Sequence, residues 1–152
     1  MNYNELLITA ESLLEGQPTK ISLLANASAF LNETLEKMNW IGFYLYDGKV
    51  LNVGPFQGKV ACATIELGKG VCGEAALLKK TMYVKDVLNY HNHIACDGES
   101  RSEVVVPMYI NNQLYGVFDI DSPIVNRFDQ DLILFLEDFT NLIIKQLTFM
   151  TL

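Results

Sequence analysis

Apolar residues recur three and four positions apart in two N-terminal stretches, "NELLITAESLLEG" and "KISLLANASAFLNETLEKM". That spacing predicts two amphipathic helices, separated at Gly16 and Pro18. The period then changes. "WIGFYLYDGKVLNVGPF" runs apolar and aromatic residues into Asp47-Gly48 and out again, the signature of a β-hairpin. "CATIEL" reads as a further strand, "GKGVCGEAALLKK" as a glycine-rich entry into a short helix, and "TMYVKDV" as extended chain. "EVVVPMYI" and "QLYGVFDIDS" flank Asn111-Asn112 as a second hairpin, and "FDQDLILFLEDFTNLIIKQL" closes the chain as an amphipathic helix starting near Asp129. This order predicts an α+β domain: an antiparallel sheet with helices packed on one face and irregular loops on the other. No repeat, linker or low-complexity tract divides residues 1–152, so one domain is expected.

One stretch fits neither period. "HNHIACDGESRSEV", residues 91–104, places two histidines, a cysteine, acidic side chains and an arginine in chain that is neither helix-like nor strand-like. Downstream, in "GVFDIDSP", Asp119 and Asp121 sit two apart in a strand and so share one face, with Phe118 and Ile120 on the other. Counting outward from the turn at Asn111-Asn112 brings Glu103 level with Asp119 to Asp121. Three like charges at one end of a sheet raise at least one carboxyl pKa unless a cation sits among them. The pattern suits cation binding or proton donation. Trp40, Phe43 and Tyr44 on the first strand could wall the same cavity, although packing in a core is the more frequent role of such residues.

Charge narrows the partners. The net charge is −7 and the isoelectric point near 4.7, which leaves no basic stripe for nucleic acid or for an anionic membrane surface. No apolar run approaches the roughly 18 residues of a membrane span. The start carries acidic residues and no Arg/Lys-led apolar segment, so a signal peptide is not expected and a cytoplasmic location is.

Three cysteines, Cys62, Cys72 and Cys96, are an odd set for a structural disulfide framework. Cys62, next to Ala61 at the start of an apolar strand, reads first as a small buried hydrophobe. Cys72 lies near the predicted start of a helix, where free N–H groups and the helix dipole favour a thiolate, or it is a tight-packing position beside glycines. Cys96 lies in polar loop and is the cysteine best placed for chemistry. A zinc site using the three cysteines with His91 or His93 is disfavoured, because no two of the cysteines share the close spacing of a zinc knuckle. The histidines read as hydrogen-bonding loop residues.

"GPFQGKVAC", "GKGVCGEAA", "HIACDGESRSEVVVP" and "GVFDIDS" together resemble the free methionine-(R)-sulfoxide reductases, a family of GAF-domain enzymes. The resemblance runs from "NWIGFYLY" to the last helix and includes all three cysteines and the acidic trio. It implies a GAF fold, reduction of free L-methionine (R)-sulfoxide, regeneration by thioredoxin, and no cofactor or metal. By the same resemblance Cys96 is the nucleophile, Cys62 the resolving cysteine and Cys72 an alternative disulfide partner. Glu103, Asp119 and Asp121 hold the substrate and its sulfoxide, and Trp40 and Tyr44 wall its methyl end. Backbone N–H groups of the loop from Ile94 through Ala95 to Cys96 are expected to hold the α-carboxylate. A carboxyl kept neutral by acidic neighbours would suit protonation of the departing oxygen.

Two other classes compete. One is a GAF-type small-molecule-binding regulator without turnover, against which stand the three thiols and the lack of length for a separate output domain. The other is a redox sensor whose disulfide signals to a partner, which shares the low-pKa cysteine beside a resolving one. A homodimer is among the oligomeric states left open.

Overall fold

The computed structural model describes residues 2–151. Its elements are α1 (Tyr3–Glu15), α2 (Lys20–Thr34), β1 (Trp40–Tyr46), β2 (Val50–Gly58), β3 (Thr64–Glu66), α3 (Gly70–Leu78), β4 (Met82–Val84), β5 (Ser102–Ile110), β6 (Gln113–Ser122) and α4 (Gln130–Thr151). A single 3₁₀ turn, Val87–Asn89, follows β4. The strands form one antiparallel sheet in the order β3-β2-β1-β6-β5-β4.

Local chemistry sets the helix ends. Asn2 and Thr19 accept from the N–H groups of Glu5 and Ser22, and Asp129 Oδ1 accepts from Leu132 N at 2.8 Å, so each of the three long helices starts on a side-chain cap. The α2 helix stops at Thr34, short of the predicted Met38, and Lys37 takes a left-handed turn (φ 62°) that redirects the chain into β1.

Strand alternation divides the sheet into two faces. Ile41 and Phe43 of β1, Val104, Val106 and Met108 of β5, and Phe118 and Ile120 of β6 point toward α1, α2 and α4, forming the larger core. Phe43 and Phe118 stack across β1 and β6 with centroids 4.3 Å apart, so Phe43 belongs to this core and not to the cavity wall. The opposite face carries Trp40, Tyr44, Val105 and Val117, packed with Val71, Cys72 and Ala75 of α3. The expected arrangement therefore holds for three helices, whereas α3 lies on the loop side. Its Ala- and Gly-rich sequence lets it sit close to the sheet.

Two hairpins carry the site strands. At Asn111 and Asn112 both residues have positive φ (52° and 64°), the pair that a tight two-residue turn between twisted strands needs. At the first hairpin the centre is Gly48-Lys49, one residue beyond the expected Asp47-Gly48: Asp47 N–H donates to Val50 O, and the Asp47 carboxylate accepts from Lys49 N and Val50 N. Where β1 and β2 shift register, Gly42 lies against Phe56, and a Cβ there would fall 2.2 Å from Phe56 Cβ. The third strand is shorter than the sequence suggests, because "CATIEL" pairs only from Thr64, leaving Cys62 in irregular chain. Among the described residues no helix is long and apolar enough to cross a membrane.

Candidate active site

The register places the acidic residues together. Asp121 pairs with Glu103 on β5 and with Trp40 on β1, while Asp119 pairs with Val105 and Gly42. Level strands thus bring the three carboxyl groups to one end of the α3 face, where Glu103, Asp119 and Asp121 are only 9%, 5% and 7% exposed. Burial, followed by the charges of Asp121 and Glu103, pushes the Asp119 carboxyl well above the usual carboxylate range. Burial and then Glu103 push Asp121 upward too. Asp119 Oδ1 and Asp121 Oδ1 are buried without a hydrogen-bond partner, so two polar atoms stand ready for a donor.

These carboxyl groups form the wall of a cavity of about 40 Å³, which Tyr44, Cys72, His93, Ile94 and Cys96 also line. A smaller space of about 20 Å³ beside it adds Trp40 and Ala61 to Tyr44, Cys96, Asp97, Asp119 and Asp121. Trp40 stacks between Phe56 and Tyr44, at 4.9 and 5.7 Å, and its Nε1–H donates to Lys59 O at 3.1 Å. Tyr44 is a neutral phenol, its pKa raised first by burial and then by Cys72 and the carboxyl groups, and it donates to Cys62 O at 3.0 Å. The aromatic wall is therefore tied to the Lys59 and Cys62 carbonyls of the segment that carries Cys62.

Cys62 and Cys96 form a disulfide across 34 positions, with Cα atoms 5.2 Å apart. This corrects the reading of Cys62 as a buried hydrophobe: it lies half-buried in the irregular segment before β3. In this disulfide state neither Cys62 nor Cys96 has a thiolate to offer a metal. Cys72 is a free thiol in the first turn of α3, with Sγ 3.9 Å from Glu103 Oε2. The thiolate expected there from the helix dipole does not hold, because burial, followed by Asp119, Glu103 and Asp121, pushes the thiol pKa well up. Cys72 Sγ and oxygens of Glu103 and Asp119 lie within 4.8 Å of one another, a donor set that would accept a small cation or an ammonium group.

The segment carrying Cys96 is fastened at both ends. Asn92 Nδ2 donates to Glu74 Oε2 at 2.6 Å and to Gly68 O at 3.0 Å, while its Oδ1 accepts from Gly70 N at 3.3 Å. Tyr90 OH donates to Glu74 Oε1 at 2.5 Å. Farther along, Asn39 Nδ2 donates to Asp97 Oδ2 and to Ser100 Oγ, both at 2.9 Å, and Lys59 pairs with Glu99. Ile94 rests on Gly70, whose φ of 64° and lack of a side chain accept it: a Cβ there would lie 3.1 Å from Ile94 Cδ1. Ile94 lines the cavity, but Ala95 is exposed and does not. The Cys96 N–H donates to Ile94 O at 3.1 Å, so in this disulfide state it is turned away from the anion-binding role expected of the loop. Asn39, Asn92 and Glu74 carry no pattern by which the sequence would have singled them out.

A curled antiparallel sheet with a loop-covered cavity on one face defines a GAF domain, and the sequence pattern of that family matches residues 22–143. The free methionine-R-sulfoxide reductase of Escherichia coli is 45% identical over 130 residues, covering 85% of this chain and 79% of that protein. The free methionine-R-sulfoxide reductase of Saccharomyces cerevisiae is 44% identical over 153 residues, covering 95% and 85%. In three dimensions the chain superposes on the free methionine-R-sulfoxide reductase of Neisseria meningitidis in complex with its substrate, with a TM-score of 0.93, 36% identity, and coverage of 99% and 92%. The chain belongs to the free methionine-R-sulfoxide reductase family of GAF-domain proteins.

Proposed function

We propose that this protein is an oxidoreductase that converts free L-methionine (R)-sulfoxide to L-methionine by thiol chemistry, with thioredoxin as the external reductant in a cytoplasmic setting. The observation that carries the chemistry is the Cys62–Cys96 disulfide at the edge of a cavity lined by three buried carboxyl groups. Family membership supplies the substrate class. In the reduced protein the Cys96 sulfur attacks the sulfoxide sulfur. Oxygen ends on Cys96 as a sulfenic acid and the sulfoxide leaves as a thioether. The Cys62 thiol then attacks that sulfenic sulfur, water departs, and the disulfide forms. A dithiol reduces it by exchange.

Each wall has a task in this reading. Asp119 and Asp121, whose carboxyl pKa values are raised first by burial and then by neighbouring carboxyl groups, Glu103 acting on both, supply the proton needed at the departing oxygen. An α-ammonium group, which a peptide-linked methionine lacks, satisfies the remaining negative charge. Trp40 and Tyr44 enclose the methyl end. Cys72, buried and held as a thiol, forms wall and takes no part in the main cycle.

The test is an NADPH-coupled thioredoxin assay with free R, free S and peptide-linked methionine sulfoxide. Turnover of the free R form alone is expected. Absence of turnover together with reversible disulfide formation under peroxide would favour a redox sensor instead. Equal activity on the peptide-linked sulfoxide would remove the ammonium-binding role of the carboxyl groups.

A further inference from the structure

The acidic cavity raises a difficulty that the proposed reaction must solve. Groups facing the Cys96 position include Glu103 from β5, Asp119 and Asp121 from β6, Tyr44 from β1, Cys72 from α3 and Asp97 from its own loop. All are neutral or negative. A thiol in such surroundings holds its proton, as Cys72 does, whereas a nucleophilic cysteine must give it up. Among the described residues, His93 is the one basic side chain lining the cavity. It lies three residues before Cys96 on the same loop, and its Nδ1 is buried without a hydrogen-bond partner. His91, by contrast, is exposed and rests on Tyr90 with ring centroids 4.8 Å apart. The His93 N–H donates to Tyr90 O at 3.3 Å, and Tyr90 and Asn92 are both anchored on Glu74, so the residues leading into His93 are fixed to α3.

We infer that His93 is the base that ionises Cys96 in the reduced enzyme. This rests on Cys96 being the nucleophile. The thiol proton passes from Cys96 Sγ to the imidazole, leaving a thiolate beside an imidazolium. The thiolate lone pair then attacks the sulfoxide sulfur. Oxygen is transferred to Cys96, which is oxidised from thiol to sulfenic acid, and the sulfoxide is reduced to thioether. The imidazolium returns one proton to the cavity, replacing the one its carboxyl groups give to the departing oxygen, so the step is proton-neutral overall.

The test reads ionisation of Cys96 directly, without sulfoxide turnover, so it stands apart from the functional reading. Reduced wild-type protein is alkylated with iodoacetamide from pH 5 to 10, and labelling of the Cys96 peptide is followed by mass spectrometry. An apparent pKa at least about one unit below the ordinary thiol value of ~8.5 is expected. His93→Asn and His93→Gln should move the curve up, slowing labelling at pH 7 by about tenfold, the loss in thiolate fraction for a shift near one unit. Imidazole added to His93→Ala should restore part of the rate. An ordinary thiol curve in the wild type overturns the inference even if every variant unfolds. So does a curve that the folded Asn and Gln variants leave unmoved. A lowered wild-type curve that His93 controls, in an enzyme without sulfoxide turnover, would keep this inference and remove the functional one.

Discussion

Reducing the Cys62–Cys96 bond should lower the melting temperature by a calculable amount. The bridge spans 34 positions, and the loop-closure entropy removed from the unfolded chain corresponds to about 3.8 kcal/mol at 25 °C. With an unfolding entropy of about 2.1 cal/mol/K per residue over 152 residues, that is a fall of about 12 °C. The native side of the balance should change little. Asn92 on Glu74 and Gly68, Asn39 on Asp97 and Ser100, and the Lys59–Glu99 pair fasten the same segment without the bond. The effect therefore lies in the freedom of the unfolded chain.

The assay is thermal unfolding by circular dichroism of oxidised and phosphine-reduced protein, with thiol titration to fix the redox state. Cys62→Ser should melt with the reduced protein whether or not reductant is present, and Cys72→Ser should keep the full gap, since Cys72 is outside the bridge. A gap below about 3 °C would refute the reasoning, because less than a third of the loop-closure term would then be expressed. A gap that survives in Cys62→Ser would place its origin elsewhere.

Cys96→Ser should abolish sulfoxide reduction, whereas Cys62→Ser should still yield about one methionine per enzyme in a single turnover and then stall with thioredoxin; normal multiple turnover in either variant removes the corresponding role. Glu103→Gln, Asp119→Asn and Asp121→Asn should each fold and lose activity, the proton donor showing a fall in kcat of ~10² or more and an ammonium ligand mainly a rise in KM. For the two aspartates stability adds a second readout. Their native pKa values lie above the unfolded value of about 3.9, so the native state binds more protons and wild-type stability drains away as pH rises from there. Melting temperatures from pH 4 to 8 should thus find either amide variant gaining on the wild type with rising pH, and a gap independent of pH would refute the buried-carboxyl account. Phe118→Ala, which empties the stack on Phe43 in the larger core, should cost about 3–5 kcal/mol in urea unfolding; a loss under 1 kcal/mol would mean that the core closes over the gap.

What could be read from the sequence was whatever local periodicity encodes. Alternation in "GVFDIDS" puts Asp119 and Asp121 on one face, and counting from the two-residue turn at Asn111-Asn112 carries Glu103 level with this stretch, opposite Ile120; the register shift between Met108 and Tyr109 moves it one residue on, to its place opposite Asp121. Cys62 could not be placed that way. Apolar neighbours suggested a strand, but β3 is three residues long and sits at the sheet edge, where the last backbone bond to β2 is from Val53 N to Ala63 O, and this frees Cys62 to meet Cys96. A pairing across 34 positions is a property of tertiary closure, and only family resemblance pointed to it. The ionisation of Cys72 failed for a related reason. The helix start is legible locally, but what overrides its dipole is tertiary: burial first, and then carboxyl groups that come from two other strands.

The same distinction explains where the stability of this molecule is spent. The helix face satisfies every local preference: alternating strands, capped helices and a closed aromatic core. On the other face, three carboxyl groups share one buried end of the sheet, two of their oxygens lack a partner, and two aspartates are forced to hold protons at a pH where exposed carboxylates hold none. A sheet evolved for stability alone would place valine at those positions, as β5 and β6 do at Val105 and Val117 one step farther along the same face. On the proposed function, the bound ammonium group of a free amino acid would meet the unpartnered oxygens, so affinity for substrate and instability of the empty site would have one origin. Replacing either aspartate by its amide should then stabilise the empty protein at neutral pH and weaken ligand stabilisation together, and a variant that gained one without losing the other would break that link.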